Sequence, residues 1–398
     1  MSQSPLSRFF ANAPTQVISL IAVSLLAHVT MSGGRVAAQL FALQHGGSPA
    51  IAGVAYSLYG LLPALLSLHI GRWIDRVGTR RVMRVALIAM ITGLILPVLS
   101  PSLPVVLLTA TLGGFGFGSY MLAANVCVSY MDFKQETDRV GMIAWLQMGN
   151  SVSNVLGPLI VGTLIDFSGF QAAFGGLALI VMCSFIASTR VNLPDGTRHA
   201  PEKGKGGSIV RTVIADPYLR RIYILGMATS LSFDGFNFMV PIFGHAHGYS
   251  ATAIASVLSV FAVGTFAIRA ILPWLSKNLP EWRMLMLAFG LSAAVFFLLP
   301  FATSMMLLAT LGFFFGLAAG VGQPNVLSLI YRAMPPGKAG EGAGLRAMMG
   351  NIMGLTGPSA YGSITAVVGA VPVFLIIGGL MSLSCWQAHL GGGTRQAA

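Results

Sequence analysis

"LPVVLLTATLGGFGFGSYMLAANVCV", residues 103–128, runs for 26 residues without one charged side chain. As a helix it would be about 39 Å long, enough to cross the roughly 30 Å hydrocarbon core of a bilayer. Comparable apolar runs recur along the chain, beginning with "VISLIAVSLLAHVTMSGG" at residues 17–34. Of the 398 residues, 55% are hydrophobic and 9% are charged, and the mean hydropathy is +0.79. A water-soluble domain, with about 25% charged residues, covers itself with charge that this chain does not have. Transmembrane β-strands would appear as short alternating segments, and the runs here are continuous. The 48 glycines, about 12% against an average of roughly 7%, suit helices that pack backbone to backbone in lipid.

Reading the runs as spans gives an all-α membrane protein of twelve transmembrane helices. They lie at 16–44, 49–70, 82–99, 104–131, 140–166, 170–189, 221–245, 249–275, 282–300, 303–331, 341–367 and 371–390. The first apolar stretch is too long for a signal-peptide core and reads as a retained first helix. Cys127, Cys183 and Cys385 lie inside apolar runs and read as buried small hydrophobes.

The net charge of +12 would suggest nucleic acid in a soluble protein, but here its placement decides otherwise. Six connections, near 45–49, 99–103, 166–170, 245–249, 300–303 and 367–371, carry no Lys or Arg. The opposite connections hold Arg72, Arg76, Arg80, Arg81, Lys134, Arg139, Lys203, Lys205, Lys277, Arg332 and Lys338. Basic residues gather on the cytoplasmic side of membrane proteins. Both termini and the basic connections are therefore expected in the cytoplasm, in a multi-pass protein of the plasma (bacterial inner) membrane. No nucleic-acid partner is expected.

The polar stretch 190–220 reads as a cytoplasmic linker between an N-terminal bundle, 1–189, and a C-terminal bundle, 221–398. The two halves repeat each other. "ATLGGFGFG" at 110 returns as "ATLGFFFGL" at 309, and "NV" at 125 returns at 325. "MGN" at 148 returns at 349, "GP" at 157 at 357, and "HGGS" at 45 as "HGYS" at 247. Offsets of 199 to 202 residues imply two pseudo-symmetric six-helix bundles with the same membrane orientation. Transporters built this way bind solute between repeats and rock them for alternating access.

With these features in place, the sequence resembles the major facilitator superfamily over almost its whole length. "GRWIDRVGTRR", residues 71–81, is similar to that family's loop between helices 2 and 3 through Gly71, Asp75, Arg76, Gly78 and Arg80, with Thr79 where a basic residue is usual. The resemblance implies a conformational latch, in which Asp75 is held near the start of helix 11, at Gly340 to Gly344. The loop read physically needs turns at Gly71 and Gly78, and a solvated topology signal is the alternative role for its charges. "NVLGPLIVG", residues 154–162, resembles the Gly-Pro motif of the family's exporters through Gly157, Pro158 and Gly162, with Ser153 where an earlier glycine is usual. The family's helix-4 arginine has no counterpart in "LTATLGGFGFG" at 108–118.

Polar residues inside the spans form stripes. His28, Ser32, Arg35 and Gln39 share one face of span 1, and Ser230, Asp234, Asn237 and Pro241 repeat that face in span 7, 202 residues on. Gln147, Asn150, Ser151 and Asn154 form a third stripe, and Asn125, Gln323 and Asn325 sit in spans 4 and 10. Arg35, about 15 Å from the nearer end of its span, is too deep to snorkel easily. Arg35 and Asp234 are candidates for substrate or proton coupling, with a structural pair as the alternative. Arg269 can bind or snorkel, and His28 can carry a proton or simply pack. The pair His245 and His247 has no carboxylate or cysteine beside it in sequence, so no metal site is expected. No Walker loop, no H-E-x-x-H and no paired intramembrane carboxylates are present, so neither an enzyme nor a cofactor is expected.

These features together lead to secondary active transport of a small organic solute. Proton-coupled efflux by a monomeric antiporter is the first reading, and an organic-anion importer or exchanger the second. The topology is testable with single cysteines in a cysteine-free background. An impermeant reagent added to intact cells labels Gly47→Cys and leaves Gly204→Cys unlabelled; the reverse pattern inverts the assignment.

Overall fold

A computed structural model describes residues 15–129, 136–190, 209–335 and 338–393. The elements are helical throughout. In order they are α1 (Thr15–Gly46), α2 (Pro49–Val77), α3 (Thr79–Leu99) and α4 (Leu103–Ser129), followed by a run Glu136–Arg190. That run is interrupted at Gly169, whose φ of 82° and ψ of 177° lie outside the helical region. Its two arms are α5 (136–168) and α6 (170–190). A short helix, Ile209–Ala215, precedes α7 (Pro217–Ala246), α8 (Ala251–Asn278), α9 (Glu281–Leu298), α10 (Met305–Ala333), α11 (Ala339–Val368) and α12 (Ala370–Gly393). The twelve expected spans each find a helix. The short helix inside the expected linker was not foreseen.

Nine runs among the described residues are long and apolar enough to cross a membrane, one of them covering both α5 and α6. α7 and α11 are not among them. Outward-facing side chains of the apolar helices are themselves apolar. α12, for instance, exposes Val371, Leu375, Ile376, Leu380, Leu383 and Trp386. A bilayer is the solvent in which such a surface is stable.

The expected loop at 71–81 is corrected. α2 continues through Gly71, Asp75 and Arg76 to Val77, and Gly78 alone breaks the chain at φ 87° before α3 begins. Gly71 is helical and makes no turn. Arg76 in the last turn of α2 suits that helix's dipole, but the charges that open α3 do not. α3 opens on Arg80 and Arg81 with no acid in its first turn and no side-chain cap, although a helix N-terminus favours anions. Stability of α3 therefore does not explain Arg80 and Arg81.

The chain divides into two compact units. One comprises Met1–Ala37 with Leu61–Pro201, and the other Ala38–Gly60 with Glu202–Ala398. The boundaries thus also fall inside α1 and α2. Repeat symmetry is visible in the backbone: Gly169 (φ 82°) matches Gly369 (φ 84°), and Gly47 (φ 68°) matches Gly248 (φ 73°). Each half also closes its first helix with a histidine set against the phenylalanine four residues earlier, stacked in the first half and tilted by 38° in the second. His45 lies 4.1 Å from Phe41 and His247 4.1 Å from Phe243, between ring centroids.

In the first unit, hydroxyls tie helices to neighbouring backbones. Thr109 donates to the Gly93 carbonyl at 2.7 Å, and Ser184 to that of Val23 at 3.0 Å. α1 and α5 cross backbone to backbone at Gly33 and Gly157. A Cβ on Gly157 would lie 2.6 Å from the Val29 oxygen and 2.8 Å from the Gly33 nitrogen. The Gly-Pro segment is thus a helix-crossing point, with Gly157, Pro158 and Gly162 all buried. Ser153 strengthens the crossing: its hydroxyl donates to the Leu25 carbonyl at 3.0 Å, and its own carbonyl accepts from Ser32 at 3.0 Å. The second unit departs from this pattern. Gly235, counterpart of Gly33, faces Tyr361 on α11, whose hydroxyl donates to the Leu231 carbonyl at 3.4 Å.

Cys127 is buried as expected, whereas Cys183 is exposed and Cys385 half-buried. The outward face of α6 is apolar at Leu179, Met182 and Ile186, so Cys183 is part of that face. The α1–α5 crossing makes a paired prediction. Gly157→Ala forces backbone apart and should cost about 1–3 kcal/mol, read as a lower melting temperature in detergent. Gly149→Ala, whose Cβ meets only Ile21 at 3.8 Å, should leave it unchanged.

Candidate functional site

Within a bilayer, a hydroxyl or amide without a partner is costly, and the commonest partner is the carbonyl four residues back on its own helix. Thr30, Thr111, Thr163, Thr229, Ser256, Thr310 and Ser384 are satisfied in that way. So are several of the expected site residues. Asn237 donates to Phe233 at 2.8 Å, Asn325 to Val321 at 2.9 Å and Ser230 to Gly226 at 3.3 Å. Each keeps its helix intact while leaving further hydrogen-bonding capacity in the two amides.

The span-1 stripe divides between the units. In the first, Ser32 turns toward α5 and donates to Val29 and Ser153, so it serves helix packing. The glycine crossing beside it draws it into that interface. His28 sets its ring against Phe117 of α4, with centroids 5.2 Å apart. Arg35, Asn150 and Asn154 are half-buried, and Asn125 is exposed. The side chain of Gln147 lies outside the described residues. Asp75 and Arg80 are half-buried, while Arg76 is exposed.

The second unit gathers the more informative set. Asp234, at mid-length in α7, accepts a hydrogen bond from the Tyr56 hydroxyl at 3.1 Å. Tyr56 belongs to the α2 segment that packs in this unit, and its ring meets Phe238 edge-on at 5.9 Å. Gly354 of α11 leaves room for the carboxylate; a Cβ there would stand 3.2 Å from Oδ2. Close by, Gly53 allows the Pro358 carbonyl to approach, and Ser359 donates to the Ser57 hydroxyl at 2.8 Å. Arg269 is half-buried on α8, and Gln323 is exposed on α10.

Gln39 is fully buried, and among the described residues both its amide atoms lack a hydrogen-bond partner. The sequence reading missed Tyr56, Tyr361 and Arg346. The tyrosines lie among apolar neighbours and give no periodic signal. Arg346 is seven residues into α11, where an arginine reads as one more basic residue near a helix end. The signal available was its place in a row of glycines at steps of four: Gly342, Gly350 and Gly354.

A family model described as Major Facilitator Superfamily matches residues 20–358. The chain belongs to that superfamily. Its relatives include the inner membrane transport protein YajR of Escherichia coli, 28% identical over 204 residues, which is 48% of this chain and 43% of that protein. The multi-drug resistance efflux pump PmrA homolog of Lactococcus lactis is 30% identical over 35% of this chain and 34% of its own. A putative niacin/nicotinamide transporter, NiaP of Bacillus subtilis, is 25% identical over 73% of this chain and 74% of its own. The stretches matched to the first two curated relatives span only 43% and 55% of those proteins. Among solved structures, a POT family transporter in complex with 5-aminolevulinic acid superposes with a TM-score of 0.78 over 95% of this chain and 96% of its own, at 14% identity. That likeness establishes the superfamily fold and nothing about solute.

Gln39 yields a prediction against the usual direction for a core residue. Replacing a buried group with no partner by an apolar one of similar volume is neutral or stabilising. Gln39→Leu should melt at or above the wild-type temperature in detergent. A fall of several degrees would mean that the amide holds the fold through ordered water.

Proposed function

We propose that this chain is a secondary transporter of a small organic solute, working by alternating access, with proton-coupled efflux as its mode. The observation that carries the coupling is Asp234. It is a half-buried carboxylate at the middle of a membrane helix, held by the Tyr56 phenol at 3.1 Å. Ionisable groups at such depth are costly and persist where they carry ions, protons or substrate. Gain or loss of a proton on this carboxylate changes the hydrogen bond it shares with Tyr56, so one proton alters how the α2 segment is held. The carboxylate is thus suited to pass a proton in one direction for each solute moved in the other. Efflux is supported by the Gly157–Pro158 segment and by the efflux pump among the relatives. The basic connections support a bacterial inner membrane with both termini in the cytoplasm. Nothing in the mechanism calls for a cofactor, a chemical reaction or a second protomer.

The second reading is an importer or exchanger of organic anions. The interior charges favour it, since Arg35, Arg269 and Arg346 stand against one mid-helix carboxylate, Asp234.

Asp234→Asn separates the roles. With a solute identified by a thermal-shift screen of drugs, vitamins and organic acids, the variant should lose pH-driven flux in proteoliposomes. It should keep counterflow, which needs no net proton movement. Full pH-driven flux in Asp234→Asn removes this residue from coupling and leaves His28 as the next candidate.

A further inference from the structure

α7 and α11 run alongside each other in the second unit in a regular series of contacts. The Tyr223 hydroxyl donates to the Gly342 carbonyl at 2.7 Å. One helical turn on, Gly226 faces Arg346, with a Cβ position 3.7 Å from its Cγ and 3.9 Å from its Nε. Gly350 faces the Ser230 hydroxyl at 3.3 Å, and Gly354 faces Asp234 at 3.2 Å. The row on α11 is therefore Gly342, Arg346, Gly350 and Gly354: one large cation set among residues with no side chain.

Among the described residues, two of the three guanidinium nitrogens of Arg346 have no partner. Its Nε and Nη2 are buried and make no hydrogen bond. Asp234 is no counter-ion, since the contact that places it falls eight residues farther along α11, about 12 Å. Glu281 is engaged by Arg332 at 3.0 Å. Glu341, five residues before Arg346, points from another face of α11 and is exposed. Nε and Nη2 are the two donors of one edge of the guanidinium, the fork that grips a carboxylate through two parallel hydrogen bonds. A buried charge left unpaired is destabilising by itself. Here the cost is carried on two helices that are also less apolar than the other spans. An arginine kept for packing would have its fork filled.

We propose that Arg346 is a substrate-binding residue whose fork receives an acidic group, such as a carboxylate or phosphonate, on the transported solute. The inference rests on the transport reading and narrows its substrate class to solutes that bear such a group.

The test is equilibrium binding to purified full-length protein in detergent, using benzoate, phenylphosphonate and the dipeptide alanylalanine. Benzamide and alanylalanine amide serve as uncharged-end controls. The acids should bind at least tenfold more tightly than the amides. That preference should vanish in Arg346→Gln and persist in part in Arg346→Lys. Arg346→Gln should melt no lower than wild type, which a structural arginine would not allow. Equal binding of acids and amides, an unchanged preference in Arg346→Gln, or no binding by any probe overturns the proposal. A parallel titration with added phosphatidylglycerol identifies the source of the anion. Displacement of the acids by the lipid assigns the fork to a headgroup phosphate and also overturns it. Flux is then measured separately in proteoliposomes with the best-bound acid. Selective binding without flux leaves Arg346 as the site and refutes the transport reading instead.

Discussion

In the hydrocarbon of a bilayer, every backbone N–H and C=O must find a partner within the protein. The rest of this structure depends on that requirement. It makes every described element a helix and shortens many joints to one or two residues. It also turns hydroxyls and amides back onto carbonyls of their own helix. Prolines 63, 97, 158, 241, 273, 324 and 358 are accommodated inside long helices, where neighbouring groups can take up the freed carbonyls. A side chain that escapes this accounting is conspicuous. Gln39 and Arg346 are two such residues, one neutral and one charged.

Most spans were legible because they are long apolar runs; α7 and α11, which are less apolar, were legible through the repeat of the first half. The stretch 71–77 was misread because its charges look like a loop. A helix emerging from the bilayer can carry charge freely, so composition there reports the membrane boundary and not the end of the helix. Asp234 stood out in the sequence because a mid-span carboxylate has few ordinary uses, and the structure sets it against Tyr56. Ser32 was not, because periodicity gives the face of a residue but not the neighbour occupying that face. Tyr56 was hidden for a related reason: its relation to Asp234 spans 178 residues and leaves no local trace.

The two halves share a plan and differ where their chemistry differs. The first closes its α1–α5 crossing with glycine on glycine and adds the Ser153 bond. The second places Tyr361 at the corresponding crossing and keeps Asp234 and Arg346 along the same pair of helices. The two copies keep one backbone plan and differ in a few side chains at this crossing.

The paired glycines Gly169 and Gly369 adopt nearly the same left-handed turn in both halves, and each serves as the entire connection between two long helices. One residue at φ above 80° replaces a loop, and few side chains other than hydrogen can occupy that conformation. Such corners offer almost nothing to a protease, an antibody or an inserted tag. Handles for detection or purification therefore belong on the longer, basic connections at the other ends of these helices.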